Sequence, residues 1–144
     1  MSYFEIGIYH PRNDVNVGTL WRSAYQLGAA GIFTVGKPYK RQTSDTSNTH
    51  VQIPLRCYET IEEMLAARPM GAVLVGVEIG GAPLAAYKHP QCAIYLLGSE
   101  DMGLPPKAAA LCNDLIAIES VNRASYNVAV AGSIVMYHRL FLGG

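Results

Sequence analysis

The sequence predicts an α/β fold with a mostly parallel sheet and helices on both of its faces. Short apolar, β-branched runs alternate along the chain with stretches of helical periodicity, which is the pattern of consecutive βα units. Two of the runs, residues 72–77 and 93–97, are apolar without alternation, as in strands buried on both faces of a parallel sheet. We expect the 144 residues to form a single domain over 1–144.

Strands are predicted where an apolar run is bounded by glycine, proline or polar residues. These runs cover residues 4–9, 31–35, 72–77, 93–97 and 115–118. One long segment, residues 37–53, is polar and rich in Thr, Ser and Asn. It is predicted to be a mobile loop or lid rather than a linker between domains.

The first helix is predicted from an apolar stripe that ends at Gly28. The stripe has the i, i+3, i+4, i+7 spacing and comprises Val17, Leu20, Trp21, Ala24 and Leu27. A second helix is predicted over residues 60–67, with Pro69 ending it. A third is predicted from Pro105 to about residue 111, because proline fits the first helical turn.

The C-terminal helix, predicted to begin near Ser125, has almost no polar face. Its small residues leave one side thin enough for another backbone to approach, so the helix requires burial on both sides. We therefore expect a homodimer in which this helix and the first helix pack against a second copy, with Ala131 and Val135 at the contact. Burial of both sides within one chain is the alternative.

Composition restricts the partners that the chain can bind. The formal net charge is zero, so no overall basic field attracts nucleic acid, and RNA contact must depend on local clusters. Lys37, Lys40 and Arg41 form such a cluster, for which a solvated loop is the alternative.

The three cysteines, Cys57, Cys92 and Cys112, argue against a disulfide framework or a zinc site, and we expect buried thiols and no metal. This pattern fits the reducing cytoplasm. The N-terminal residues lack the basic region of a secretory signal, and no apolar run is long enough to cross a membrane.

Ligands of open α/β sheets bind beyond the carboxyl ends of the strands. Gly-rich or polar segments follow three predicted strands, namely VEIGG (77–81), GSEDMGLP (98–105) and ESVNRASYN (119–127). They predict a ligand crevice, although a tight structural turn is the alternative for the segment that contains Gly98 and Gly103. No P-loop or GxGxxG fingerprint is present, so a nucleotide-dependent oxidoreductase has only the fold class in its favour.

Arg22 is the sharpest single candidate on the first helix. Its neighbours three and four positions away are Gly18, Thr19, Tyr25 and Gln26, none of which is acidic. No intrahelical salt bridge therefore explains this arginine. A solvated surface arginine is the alternative.

Together, the segments NVGTLWRSA (16–24), LLGSEDMGLP (96–105) and IESVNRASYNVAVAGSI (118–134) resemble the three ordered motifs of the SpoU-type RNA 2′-O-ribose methyltransferases of the SPOUT superfamily. The resemblance implies a C-terminal trefoil knot, a rare exception to unknotted topology. It also implies S-adenosyl-L-methionine as cofactor and tRNA or rRNA as substrate. In this family the motif arginine of one subunit lies near the cofactor pocket of the other.

The resemblance implies a role for each matching residue. The cofactor-binding candidates are Val77, Gly98, Ile118, Ser125 and Asn127. Arg22 matches the arginine proposed to act on the ribose hydroxyl, and Asn16 and Glu100 of the same motifs complete the catalytic candidates. Of the RNA-binding candidates, the resemblance supplies Arg22 and Arg123, and the local basic cluster supplies Lys37, Lys40 and Arg41.

Two residues depart from the family pattern. Glu119 lies where the family usually has the proline of Ile-Pro-Met, and Tyr126 replaces the leucine of Ser-Leu-Asn. Loss of the proline leaves the turn less rigid, and a carboxylate beside the cofactor is unexpected. A non-catalytic RNA-binding or assembly protein that kept the fold is therefore the alternative to an active enzyme.

Overall fold

The computed structural model describes residues 2–39, 52–99, 102–122 and 124–143. Most of the segment predicted to be a mobile loop lies outside these ranges. So do four candidate site residues, namely Lys40, Arg41, Glu100 and Arg123.

The described residues contain a six-stranded sheet in which every paired strand is parallel. The strands are β1 (Tyr3–Tyr9), β2 (Gly31–Val35), β3 (Leu55–Tyr58), β4 (Val73–Pro83), β5 (Cys92–Leu97) and β6 (Asp114–Ala117). Their order across the sheet is β3-β2-β1-β5-β4-β6. The structure therefore confirms the predicted parallel α/β class, and the trefoil knot stays a prediction.

The edge strand β3 was not predicted from the sequence. Its central residues, Arg56 and Cys57, are exposed, so the strand lacks the apolar run that marked the others. The exposure of Cys57 also corrects the prediction of buried thiols. All three cysteines are free.

The helices are α1 (Asp14–Gln26), α2 (Ile61–Ala67), α3 (Pro106–Ala109) and α4 (Val128–Tyr137), with a 3-10 turn at Leu84–Ala86 and a π-helical turn at His138–Leu142. Asn13 caps α1 by accepting a hydrogen bond from the Val15 amide, and Thr60 caps α2 through the Glu63 amide. Within the described ranges, each helix is too short or too polar to cross a membrane.

Two apolar layers cover the two faces of the sheet, as the sequence predicted. Alternate residues of β5 divide between them, because successive side chains of a strand point to opposite faces. Tyr95 and Leu97 pack in the layer that contains α1 and α4, whereas Ile94 and Leu96 pack in the layer that contains α2 and α3. Each such fully buried side chain contributes about 1.5–3 kcal/mol through the hydrophobic effect.

Polar contacts attach the C-terminal π-helical turn to the amino ends of β1 and β5. The Arg139 guanidinium donates to the Pro90 carbonyl at 2.7 Å and to Ser2 Oγ at 2.6 Å. Hydrogen bonds also join His89 Nδ1 to the Tyr95 hydroxyl at 2.6 Å and His89 Nε2 to His138 Nδ1 at 2.8 Å. Burial, reinforced by the nearby His138 and Arg139, lowers the pKa of His89 to about 4.

Candidate active site

A cavity of about 780 Å³ opens at the carboxyl ends of β4, β5 and β6. Its walls come from the three segments that the sequence predicted to form a ligand crevice. Four of the predicted cofactor residues line it: Val77, Gly98, Ile118 and Ser125. These residues are as much as 48 positions apart, and the sheet brings them to one place.

The first wall is a bulge in β4. The pairing of β4 with β6 is interrupted between Val77 and Ala82, so residues 78–81 leave the ladder. Glu78 extends from this bulge and lines the cavity. Its Oε2 accepts a hydrogen bond from the Leu104 amide at 2.5 Å, and its Oε1 accepts one from the Ile79 amide at 2.8 Å. One carboxylate thus connects the bulge to the segment after β5.

The second wall is formed by residues 98–99 and 102–105, which approach each other closely. The Gly103 amide donates to the Ser99 carbonyl at 3.0 Å. A Cβ atom on Gly98 would lie 2.2 Å from the Gly103 carbonyl carbon, and one on Gly103 would lie 2.6 Å from Glu78 Oε2. Gly103 also has a φ of +64°, which favours glycine. The described residues of this wall therefore pack closely against each other as well as lining the cavity.

The third wall is formed by the described residues between β6 and α4, 118–122 and 124–127. The Tyr126 hydroxyl donates to the Glu119 carbonyl oxygen at 2.6 Å. The Glu119 carboxylate in turn accepts a hydrogen bond from the Ala85 amide at 3.0 Å. The two residues that depart from the family pattern are therefore bonded to each other and to the 3-10 turn.

Asn127 and Asn16 meet beside the cavity rather than lining it. Asn127 Oδ1 caps α4 by accepting from the amides of Ala129 and Val130 at 2.9 and 3.2 Å. Its Nδ2 donates to Asn16 Oδ1 at 3.0 Å. This bond joins the start of α1 to the start of α4. The cap also explains why α4 begins at Val128 rather than near Ser125.

The basic candidates that the structure describes lie away from the cavity of their own chain. Arg22 is exposed on α1 and has no hydrogen bond or ion pair with any described residue. Lys37 is exposed after the end of β2. Neither lines the cavity. Among the described catalytic candidates, the structure therefore brings Asn16 to Asn127 but does not bring Arg22 to the cavity of its own chain.

The cavity fits the cofactor that the resemblance implies. Its volume lies within the range of about 300–1,000 Å³ that is usual for small-molecule sites. Apolar side chains such as Val77, Leu97 and Ile118 can enclose a purine, while Glu78 and Ser125 offer polar groups to a ribose and an amino acid tail. Gly98 leaves one wall without a side chain.

Glu78, Glu119 and Tyr126 were not among the residues assigned to the site from the sequence. The sequence could have indicated Glu78 as a site residue, since it is a carboxylate directly after a buried apolar run. Apart from the Ile79 amide beside Glu78, the partners of these residues are 7 to 34 positions away in the chain. Local sequence patterns do not identify such partners.

A second depression, the outer groove, lies on the opposite side of the third wall and has a volume of about 640 Å³. It is lined mainly by α4, with contributions from α1, the third wall, the 3-10 turn and the π-helical turn, and its exposed apolar residues include Val130, Tyr137 and Leu142. Ala131 and Val135 were expected at the dimer contact, but they are 8% and 0% exposed and pack on the sheet of their own chain. Helical geometry turns these two residues inward and Val130 outward.

The comparisons with solved structures establish the fold. A structure described as concerning the 2-OH methylation of C/U34 on tRNA is 23% identical with a TM-score of 0.81, covering 96% of this chain and 94% of that one. The AdoMet-bound SpoU methyltransferase AviRb from Streptomyces viridochromogenes is 24% identical with a TM-score of 0.83. The alignment covers 96% of this chain and 57% of that one.

An AdoMet-bound rRNA methyltransferase from Sinorhizobium meliloti is 26% identical with a TM-score of 0.81. The alignment covers 97% of this chain and 57% of that one. The chain thus spans nearly the whole of the first protein and little more than half of the other two. No curated protein sequence matches it.

The family model described as the SpoU rRNA Methylase family matches residues 3–137. The match includes all three motifs and every wall of the cavity. On this evidence, the chain belongs to the SpoU rRNA methylase family.

Proposed function

We propose that the protein transfers a methyl group from S-adenosylmethionine to a ribose 2′-hydroxyl of tRNA or rRNA. The observation that carries the proposal is the convergence of Val77, Gly98, Ile118 and Ser125 on one cavity, in a chain of this family. We place the reaction in the cytoplasm, where the free thiols of the chain persist.

The relatives support this choice of substrate. The family is named for rRNA methylation, and a structure of which this chain covers 94% concerns 2-OH methylation of tRNA. The AdoMet-bound relatives support the cofactor.

The residues of the chain would act mainly by positioning. Bound S-adenosylmethionine supplies a methyl group that its sulfonium has already activated. Leu97 and Val128 line the cavity with apolar surface on which the cofactor can pack. Arginine stays protonated in proteins, so Arg22 is suited to holding an RNA phosphate and stabilising the developing oxyanion. The S–CH3 bond breaks as the O–CH3 bond forms, and the proton of the hydroxyl would pass to water.

A homodimer would complete the site. Arg22 lies outside the cavity of its own chain, and the exposed outer groove on α1 and α4 offers an apolar surface for a second copy. We propose a symmetric contact through this groove in which Arg22 of one subunit reaches the cavity of the other. This arrangement agrees with the resemblance.

The proposal is tested first by calorimetric titration of the wild-type protein with S-adenosylmethionine. Methyl transfer to total tRNA and to rRNA is then measured with labelled cofactor. Arg22→Ala should keep the melting temperature and the cofactor affinity but reduce methyl transfer about 100-fold or more. Arg68→Ala, which removes an exposed arginine after α2, is the matched control and should retain activity.

Each result of these experiments separates the proposed function from one of its alternatives. Absence of cofactor binding by the wild-type protein would overturn the proposal. Binding without transfer to either RNA would favour the non-catalytic RNA-binding alternative. Full activity of Arg22→Ala would show that this arginine is an ordinary surface residue.

A further inference from the structure

The loop between β6 and α4 separates the cavity from the outer groove. Ile118 and Tyr126 line both depressions, so this loop is a wall with a ligand site on one side and an apolar surface on the other. The described residues 119–122 and 124–127 are all exposed. Packing therefore does little to fix the shape of the wall, which must depend on hydrogen bonds.

Two of these hydrogen bonds form a clasp made by Tyr126 and Glu119. The Tyr126 hydroxyl donates to the Glu119 carbonyl, at 2.6 Å, across seven positions of the loop. The Glu119 carboxylate accepts from the Ala85 amide, at 3.0 Å, and so attaches the loop to the 3-10 turn after β4. The first bond closes the loop on itself and the second anchors it to a neighbouring element.

We propose that Glu119 and Tyr126 are positioning residues, whose clasp holds the loop in the shape that the cofactor requires. This inference rests on the proposed function. Proline restricts a turn through its ring, and this chain lacks that restriction at position 119. The clasp replaces it with two hydrogen bonds from the residues that differ from the family pattern.

The expected size of the effect follows from the bonds that are lost. Tyr126→Phe removes one oxygen and keeps the ring against both depressions. A single hydrogen bond of this kind corresponds to a change of about 3- to 10-fold in an equilibrium constant. We expect the affinity for S-adenosylmethionine to fall by that factor, because the unclasped loop must be ordered when the cofactor binds.

The experiment combines calorimetry with amide hydrogen exchange. Tyr126→Phe should weaken binding and accelerate exchange within residues 118–127, while exchange in the central strand β5 stays unchanged. A general loss of stability would instead accelerate exchange in both the loop and β5. Tyr25→Phe is the matched control, because Tyr25 is 44% exposed on α1 and its hydroxyl has no hydrogen bond to a described residue.

Variants of Glu119 test the second bond. Glu119→Ala removes the acceptor of the Ala85 amide, whereas Glu119→Gln keeps an oxygen at the same place and should restore most of the affinity. Unchanged affinity and loop exchange in both Tyr126→Phe and Glu119→Ala would overturn the clasp. If the wild-type protein binds no cofactor, the proposed function fails, and hydrogen exchange still decides whether the clasp holds the loop.

Discussion

Glu78 connects two walls of the cavity with a single carboxylate. Its contact with the Leu104 amide also accounts for glycine at position 103, where a Cβ atom would collide with the carboxylate. A residue that appears in the sequence only as the end of an apolar run therefore controls the shape of the site. Its role follows from the position of Leu104, 26 residues later.

We predict that Glu78→Ala weakens cofactor binding at least several-fold. The substitution leaves the amide of the buried Leu104 without its acceptor, at a cost of about 1–3 kcal/mol to the local structure. Glu78→Gln retains one acceptor oxygen and should have an intermediate effect. Calorimetry measures the affinity, and Glu62→Ala, on the exposed side of α2, is the control. Wild-type affinity in Glu78→Ala would contradict the role assigned to this carboxylate.

At the scale of an element, α4 packs on one side only. Ala131, Gly132 and Val135 face the sheet, whereas Val130 and Tyr137 are 48% and 51% exposed beside the outer groove. The exposed apolar residues continue into the π-helical turn, where Phe141 and Leu142 are 63% and 66% exposed. A continuous apolar surface of this kind is typical of an interface.

Substitutions on the two sides of α4 should therefore behave differently. Val130→Asp places a charge in the outer groove and should separate the dimer, with little effect on the fold of each subunit. Val135→Asp buries an unpaired charge in the core and should unfold the chain. Sedimentation gives the oligomeric state and circular dichroism gives the fold. A wild-type protein that sediments as a monomer at micromolar concentration would refute the proposed interface.

At the scale of the whole molecule, the cavity and the His89 network lie at opposite ends of the sheet. The network joins the last turn of the chain to the first residues of β1 and β5 through Arg139 and His138. His89 remains neutral in the folded protein because burial lowers its pKa to about 4 from an ordinary value of 6.5. The unfolded chain therefore takes up a proton at a higher pH than the folded chain does.

We predict that the free energy of unfolding falls as the pH is lowered from 6.5 towards 4. Above pH 6.5 His89 is neutral in both states and imposes no penalty; between the two pKa values the proton binds preferentially to the unfolded state. Thermal melts at half-unit intervals measure the effect. His89→Gln should flatten the slope in this window, and an equal slope in the variant would assign the pH dependence to other groups.

The sequence by itself determined the strands and helices that are marked by a pattern of neighbouring residues. Continuous apolar runs marked the strands buried on both faces, the stripe beginning at Val17 marked α1, and Pro105 marked the start of α3. The three ordered motifs indicated the family, which the match over residues 3–137 confirms. The edge strand β3 escaped prediction because its exposed Arg56 and Cys57 do not form an apolar run.

Only the tertiary structure decided which residues share a surface. It joined Asn16 to Asn127, 111 positions apart, and Glu78 to Leu104, and it paired Glu119 with Tyr126. It also turned Ala131 inward and Val130 outward on a helix that is apolar on both sides. The physical reason is that periodicity records whether a residue is buried, whereas its partners depend on how the strands and loops are arranged in space.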